Sequence, residues 1–411
     1  MDYPMDYAER FQQLDAWLAR YQSVWRATPF TQHKLPWEQD WPELATWLRS
    51  RSLAEAEQAH TQLQALHAPQ PFRELSLQAE ALSQIPDWSV APVQSWPELL
   101  ERHIPGRKWQ QITRFAQASQ RGWSQPPRHW LDWCAGKGHL GRLLAWQGGQ
   151  PLTCLEQDAQ LNQDGRALSQ ALQLNAQHLD YDVMTPTAWN QLRPDHSLVA
   201  LHACGQLHMT LLEQAVVAGC AQIALSPCCY NRVDGTHYRP LSQRARQSRL
   251  HLSKRDLGLP LQATHTAGQR SRRLRDQSMA WRLAFDVWQR EVTGRDAYLP
   301  TPSKPESAMG QGFIAFCNDL AQHHGLKLSA STDWTALESR GWQRLAEVRN
   351  LELVGGLFRR PLEVWLLLDR ALFLQEAGYT VSLGLFAPAH LTPRNFLLLA
   401  EEKTEQPITS L

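Results

Sequence analysis

Leu131-Asp132-Trp133-Cys134-Ala135-Gly136-Lys137-Gly138-His139-Leu140 reads as the end of an apolar strand, a glycine-bearing turn and the start of a helix. Two glycines two apart let the backbone turn tightly and come close to a ligand, and the first N–H groups of the following helix point at that ligand. The turn is therefore expected to cradle a cofactor. It is not the dinucleotide fingerprint. Gly141 completes G-x-G-x-x-G only by coincidence of spacing, and Asp132 ahead of the turn suits an ammonium group better than a pyrophosphate. Nor is it a P-loop, because Lys137 stands between the glycines and no G-K-[ST] ending follows. Two later segments point the same way. Glu156 closes the next apolar stretch about 20 residues on, where an acid can accept both hydroxyls of a ribose. Asp180-Tyr181-Asp182-Val183 then places a carboxylate within reach of a purine amino group. His139, at the helix start, is expected to touch nothing.

Working outward, short apolar strands alternate with amphipathic stretches after Gln120, the grammar of parallel βα units. Strands are expected at His129 to Trp133, Leu152 to Leu155, Ser197 to Leu201 and Gln222 to Leu225, with helices from Leu140 to Trp146 and from Ala159 to about Leu172. Near the end, a helix from Pro361 to Ala377 leads to Tyr379–Phe386, a Pro-bounded loop and Asn395–Ala400. Two strands joined by a loop too short for a crossover helix must pair antiparallel. Upstream of Gln120 the spacing of Phe11, Leu14, Trp17, Leu18, Tyr21 and Trp25 is helical, and Pro-containing breaks divide that region into short helices. Four segments result: an N-terminal helical region at 1–105, the first part of an α/β core at 106–230, a basic helical insert at 231–356, and a C-terminal helix with a strand hairpin at 357–411.

Composition sets the bounds. The chain has 411 residues, 43% hydrophobic and 20% charged, enough apolar surface for a large core and too little charge for bulk disorder. Its formal charge of +1 gives no global field toward nucleic acid or lipid, so any such partner needs a local patch. No apolar run approaches the ~20 residues that span a bilayer, and the acidic MDYPMDYAER start has no apolar h-region. A soluble, cytoplasmic protein is expected, and seven cysteines suit a reducing compartment.

Asp132 to Arg142, His202-Ala203-Cys204-Gly205 and Ser226-Pro227-Cys228-Cys229-Tyr230 together resemble the class I S-adenosylmethionine-dependent methyltransferase domain shared with glutathione S-transferase C-terminal-domain-containing protein and ribosomal RNA adenine dimethylase domain-containing protein. The short basic helix that precedes the first strand in that family has its counterpart in Gly106-Arg107-Lys108-Trp109-Gln110-Gln111-Ile112. The resemblance spans roughly 107–230 and 361–403. It implies an α/β, Rossmann-like seven-stranded sheet with a closing antiparallel hairpin, here carrying an N-terminal helical region and a helical insert, and S-adenosyl-L-methionine as cofactor. Carried over residue by residue, Asp132, Cys134, Ala135, Gly136 and Gly138 would hold the methionine part, Glu156 the ribose, and Asp182 with Tyr181 the adenine. His202 would line the pocket.

Both Cys turns follow expected strands, and in an open parallel sheet the carboxyl ends of the strands meet the ligand. Three readings of Cys204, Cys228 and Cys229 stay open. They are pocket walls, a thiolate nucleophile, or, with His202, a metal site that lacks C-x-x-C spacing. No metal is expected, and Cys204, Cys228, Cys229 and Tyr230 are the catalytic candidates, with Tyr230 stacking on a base or packing. Between Asn231 and Pro300 fourteen Lys or Arg face six Asp or Glu. Arg244, Arg246, Arg249, Lys254 and Arg255 form one cluster, and Arg270, Arg272, Arg273 and Arg275 a second. Structured RNA, tRNA or rRNA, is the partner such phosphate-reading clusters suit, with Tyr238 or Trp281 stacking. The alternatives are a protein methyltransferase and a non-catalytic module that keeps the fold as scaffold.

Overall fold

A computed structural model describes residues 6–89, 96–263, 269–302, 306–328 and 331–403. The chain divides into two compact units. One comprises Met1–Ala16, Ser83–Ala263 and Leu362–Leu411, the other Trp17–Leu82 and Thr264–Pro361. The boundaries drawn from sequence at 105/106, 230/231 and 356/357 do not coincide with these. Most of the N-terminal helical region shares a unit with the later part of the insert, while the insert up to Ala263 stays with the sheet.

The first unit is built on seven strands: β1 His129–Trp133, β2 Leu152–Glu156, β3 Ala176–Asp180, β4 His196–Cys204, β5 Gln222–Cys228, β6 Tyr379–Leu385 and β7 Phe396–Glu402. Their order is β3-β2-β1-β4-β5-β7-β6. β1 to β5 pair parallel, and β7 runs antiparallel between β5 and β6. The predicted antiparallel hairpin is present. The central strands form because both faces are covered: Trp130, Leu131 and Trp133 of β1 are each at most 1% exposed, and each such side chain removed from water contributes about 2 kcal/mol. β3 went unseen in the sequence because Ala176-Gln177-His178-Leu179-Asp180 has no apolar run. It is an edge strand, and among its residues only His178 is buried.

Helices α1 Gly106–Arg121, α2 His139–Gly148, α3 Ala159–Ala171, α4 Gln206–Ala218 and α5 Arg359–Glu376 accompany the sheet. Trp109, Ile112 and Phe115 of α1 share a core cluster with Leu140, Leu143 and Leu144 of α2 and with Leu397 and Leu399 of β7. Asp369 of α5, fully buried, accepts hydrogen bonds from Tyr238 Oη (2.5 Å), Leu241 N (2.9 Å), Ser242 N (2.8 Å) and Ser242 Oγ (2.7 Å). That carboxylate ties the start of the insert to α5.

In the second unit the long helices Gln269–Thr293 and Trp334–Gly356 pack closely at Gly341, where a Cβ would collide with the Ala280 carbonyl. Trp281, Phe285, Phe313 and Phe316 fill a core cluster there. Asn350 holds the 51–52 turn by donating to the Arg51 and Ser52 carbonyls, both at 3.1 Å. No helix among the described residues is long and apolar enough to cross a membrane.

Candidate cofactor site

Strand order reverses between β1 and β4, and ligands of open α/β sheets sit outside the carboxyl ends of the strands at such a switch point. The cradle lies there. Cys134 (φ 58), Gly136 (φ 56) and Gly138 (φ 68) all take left-handed backbone, which coils the turn back on itself. A Cβ at Gly136 would meet nothing within 4 Å, whereas one at Gly138 would stand 2.9 Å from Cys154 Sγ and His178 Cε1. Gly136 thus keeps space open for a ligand, and Gly138 lets the turn settle onto β2 and β3. Cys134 holds a conformation normally left to glycine, the sort of cost that persists at functional sites.

Glu156 is the hub of the site. Its Oε2 accepts Gly136 N at 2.9 Å, and its Oε1 accepts Gln157 N at 2.9 Å and Asp158 N at 3.1 Å. Asp158 caps α3 by accepting Gln160 N and Leu161 N. The Glu156 carbonyl receives Asn162 Nδ2 at 2.8 Å and Tyr181 N at 3.0 Å, linking β2 to the segment after β3. Asp182 is exposed and accepts Met184 N at 2.9 Å, while Tyr181 is half-buried. Lys137 pairs with Asp164 of α3 at 2.7 Å, so the lysine between the glycines is engaged by a carboxylate.

Asp132 is 3% exposed, and its Oδ2 accepts Gly141 N at 2.9 Å, holding the first turn of α2 against β1. Burial pushes its carboxyl up to about 7, against the opposing pull of the Gly141 hydrogen bond and the Lys108 charge. His139 does not stand free. Its Nδ1 is 2.6 Å from Arg142 Nη2, and burial drives it down to about 3. An imidazole this reluctant to take a proton accepts from the guanidinium.

Sequence reasoning passed over several charged groups. Lys108 of α1 acts electrostatically on Asp132, His139 and His202, and its signal was the G-R-K opening of the helix. Arg232 and Arg394 act in the same way on Cys229. Arg394 lies in the β6–β7 loop, where no spacing links it to the Cys turns.

The structure brings three of the four sulfur and imidazole candidates together. Cys204 and Cys228 are register partners at the ends of β4 and β5 with their sulfurs 3.6 Å apart, and the Sγ atoms of Cys204, Cys228 and Cys229 all lie within 4.8 Å of one another. Within the trio, sulfur hydrogen bonds and the two arginines hold the Cys229 thiol well below its ordinary range, while Cys228 is pushed far up. His202 is exposed, with φ 76, and contributes its carbonyl to the Cys204 thiol rather than its ring to the trio.

Tyr230 does not fit a catalytic or base-stacking role. It is 1% exposed, with Arg370 5.0 Å from its ring centre and the His208 ring at 6.1 Å, because the left-handed turn at Cys229 sends the next side chain into the core. Tyr238 and Trp281 are likewise buried, the first donating to Asp369 and the second to Glu338, so neither offers a face for stacking. Of the cations, Arg244, Arg246, Arg249, Lys254, Arg255, Arg272, Arg273 and Arg275 are exposed, and the side chain of Arg270 lies outside the described residues. The two clusters fall on different units.

Residues 107–236 match a family model described as a methyltransferase domain. The matched span holds the cradle, Glu156, Asp182 and both Cys turns and ends before Arg244. A solved structure of coclaurine N-methyltransferase bound to N-methylheliamine and SAH is 14% identical, over 54% of this chain and 58% of that one, with a TM-score of 0.25. The plantazolicin methyltransferase BpumL in complex with SAH is 13% identical, over 69% of this chain and 93% of that one, with a TM-score of 0.23. The chain thus spans under two thirds of the first of these. Over 107–236 the chain is thus similar to a methyltransferase domain, and the residues there are of the kind that S-adenosylmethionine requires: an open backbone at Gly136, a carboxylate fixed at the end of β2 and a second acid beyond β3.

Proposed function

We propose that this chain transfers the methyl group of S-adenosylmethionine to structured RNA, tRNA or rRNA. The observation that carries the acceptor class is the run Arg244, Arg246, Arg249, Lys254 and Arg255, exposed and in the same unit as the cradle, shortly after the Cys-Cys turn. Among the described residues, Arg244, Arg246, Arg249 and Lys254 form no salt bridge with a carboxylate. Their base is firm: Ser242 Oγ accepts Ala245 N to cap the short helix Gln243–Arg246, and Asp369 grips Ser242. Clustered, exposed cations of one sign are what a phosphate backbone neutralises. In the second unit, Arg272 and Arg273 line a cleft with Trp342, Glu57 and Asp276, and Asp276 is itself paired with Arg349 at 2.8 Å. Guanidinium next to an indole offers charge and a stacking face to single-stranded segments.

Bound S-adenosylmethionine supplies an electrophilic methyl group on a sulfonium. The residues that would hold it are Glu156 for the ribose hydroxyls, Asp132 for the ammonium, Asp182 for the adenine amino group, and Gly136, whose open backbone would admit the methionine part. Alignment by itself suffices to drive transfer from a sulfonium to a good nucleophile.

A tritiated methyl donor given to fractionated RNA and protein should label RNA of tRNA or rRNA size. Label in protein alone overturns the acceptor class, and absence of both label and calorimetric binding of S-adenosylhomocysteine overturns the enzyme. Filter binding should weaken with salt at a log–log slope of about −3.5 to −4.5 for five cations on phosphates, and Arg249→Ala should flatten that slope by about one.

A further inference from the structure

The three thiols at the ends of β4 and β5 are held by backbone that has little freedom to do anything else. The β4–β5 register slips between Leu201 and Cys204, a bulge that re-aims the side chains beyond it. Gly205 N then donates to the Cys228 carbonyl at 3.0 Å, Arg232 N to the Cys229 carbonyl at 2.9 Å, and Gln206 N to the Arg232 carbonyl at 2.6 Å. A Cβ on Gly205 would strike the Arg232 carbonyl, so the two turns are locked against each other. Cys229 itself sits at φ 49, an expensive conformation for a residue with a Cβ. Sequence spacing gave no C-x-x-C signature because the ligand atoms come from neighbouring strands.

The structure assigns to Cys204, Cys228 and Cys229 the binding of one thiophilic d10 cation, such as zinc(II), through three sulfurs. Sulfurs bound tetrahedrally to zinc at about 2.3 Å stand about 3.8 Å apart. The Cys204–Cys228 separation is 3.6 Å and the widest of the three is within 4.8 Å, so only a small closure is needed. Binding displaces the three thiol protons to solvent as three metal–sulfur bonds form. The resulting unit carries one net negative charge, faced by Arg232 and Arg394. Cys228 is 4% exposed and the other two are half-buried, so the ion is anchored from within and keeps its fourth position toward the crevice at the strand ends. Three protein ligands with one open position is the arrangement of a site that takes water or a substrate atom, whereas closed four-ligand sites are purely structural.

The test uses the full reduced chain, incubated with zinc(II) alone, dialysed and analysed for metal by mass spectrometry, with cobalt(II) substitution as a spectroscopic readout. The expected result is one ion per chain and an intense sulfur-to-cobalt absorption. Cys204→Ser and Cys229→Ser, chosen because both positions are partly exposed, should each weaken retention at least about tenfold and shrink that absorption by about a third. Zinc should raise the Tm of the parent chain and leave that of Cys229→Ser unmoved, which separates lost binding from lost folding. Retention of no metal, serine variants that bind like the parent, or a Cys204–Cys228 disulfide that zinc does not prevent would each overturn the assignment. A parallel titration with S-adenosylhomocysteine reports on the cofactor separately, so metal retention without cofactor binding, or the reverse, sinks one idea and leaves the other standing.

Discussion

Asp132 carries a cost at neutral pH that a bound cationic ligand would remove. With burial holding its carboxyl at about 7, the folded chain keeps a proton that the unfolded chain has already released. Stability is therefore expected to fall as pH rises between about 4 and about 7, by on the order of a few kcal/mol, and to level off above that. Ligand ammonium favours the carboxylate, so affinity for S-adenosylmethionine should rise through the same upper range. Thermal unfolding and calorimetry across this range should show both slopes, and Asp132→Asn should lose both; slopes that persist in the variant would remove Asp132 as their source. Glu156→Gln strips charge from an oxygen pair that accepts three backbone N–H groups, and cofactor affinity should drop about 10- to 100-fold. The two cradle glycines should part company. Gly136→Ala, facing open space, should fold at a cost of about 1 kcal/mol yet bind cofactor poorly, whereas Gly138→Ala, pressed on Cys154 and His178, should lose several kcal/mol. Binding by Gly136→Ala equal to the parent would contradict the placement of the ligand. These residues were legible because each belongs to a local pattern of turn and strand end. The roles of Lys108, Arg232 and Arg394 were not, since they depend on three-dimensional proximity alone.

The elements were read most accurately where both faces of a strand are apolar. β1, β2 and β5 begin where the sequence placed them, but β4 and β5 run on to Cys204 and Cys228, so the expected turns are strand ends. That difference sets the sulfurs in register. β3 was missed because an edge strand needs no apolar alternation on its outer side. Asp369 shows what a helix can hold through a single carboxylate: four donors, all buried, fix the 238–242 segment. Asp369→Ala should cost about 3–5 kcal/mol and loosen the cation-bearing segment, read as a lower Tm and a weaker RNA salt slope. Unchanged stability would show that the donors find other partners.

At the level of the whole chain, the sequence described a helical front, a core and an insert, but it did not show that 17–82 and 264–361 make up one unit. Partners about three hundred positions apart leave no trace in periodicity, and the pairings that join them, such as the hydrogen bonds of Asn350 to Arg51 and Ser52, follow no motif. Each unit has its own core, so calorimetric unfolding should resolve two transitions. S-adenosylhomocysteine at about 100 times its Kd should raise only the one belonging to the sheet-bearing unit, by about 2.7 kcal/mol of stabilisation. A single transition that shifts as a whole would refute this independence. The position of β7 between β5 and β6 carries a consequence for biosynthesis. The ~170 residues separating β5 from β7 take roughly ten seconds or more to translate. Throughout that interval the emerging polypeptide presents β5 as an unsatisfied border on the ribosome, and a nascent chain in this state needs chaperone cover more than its finished form does.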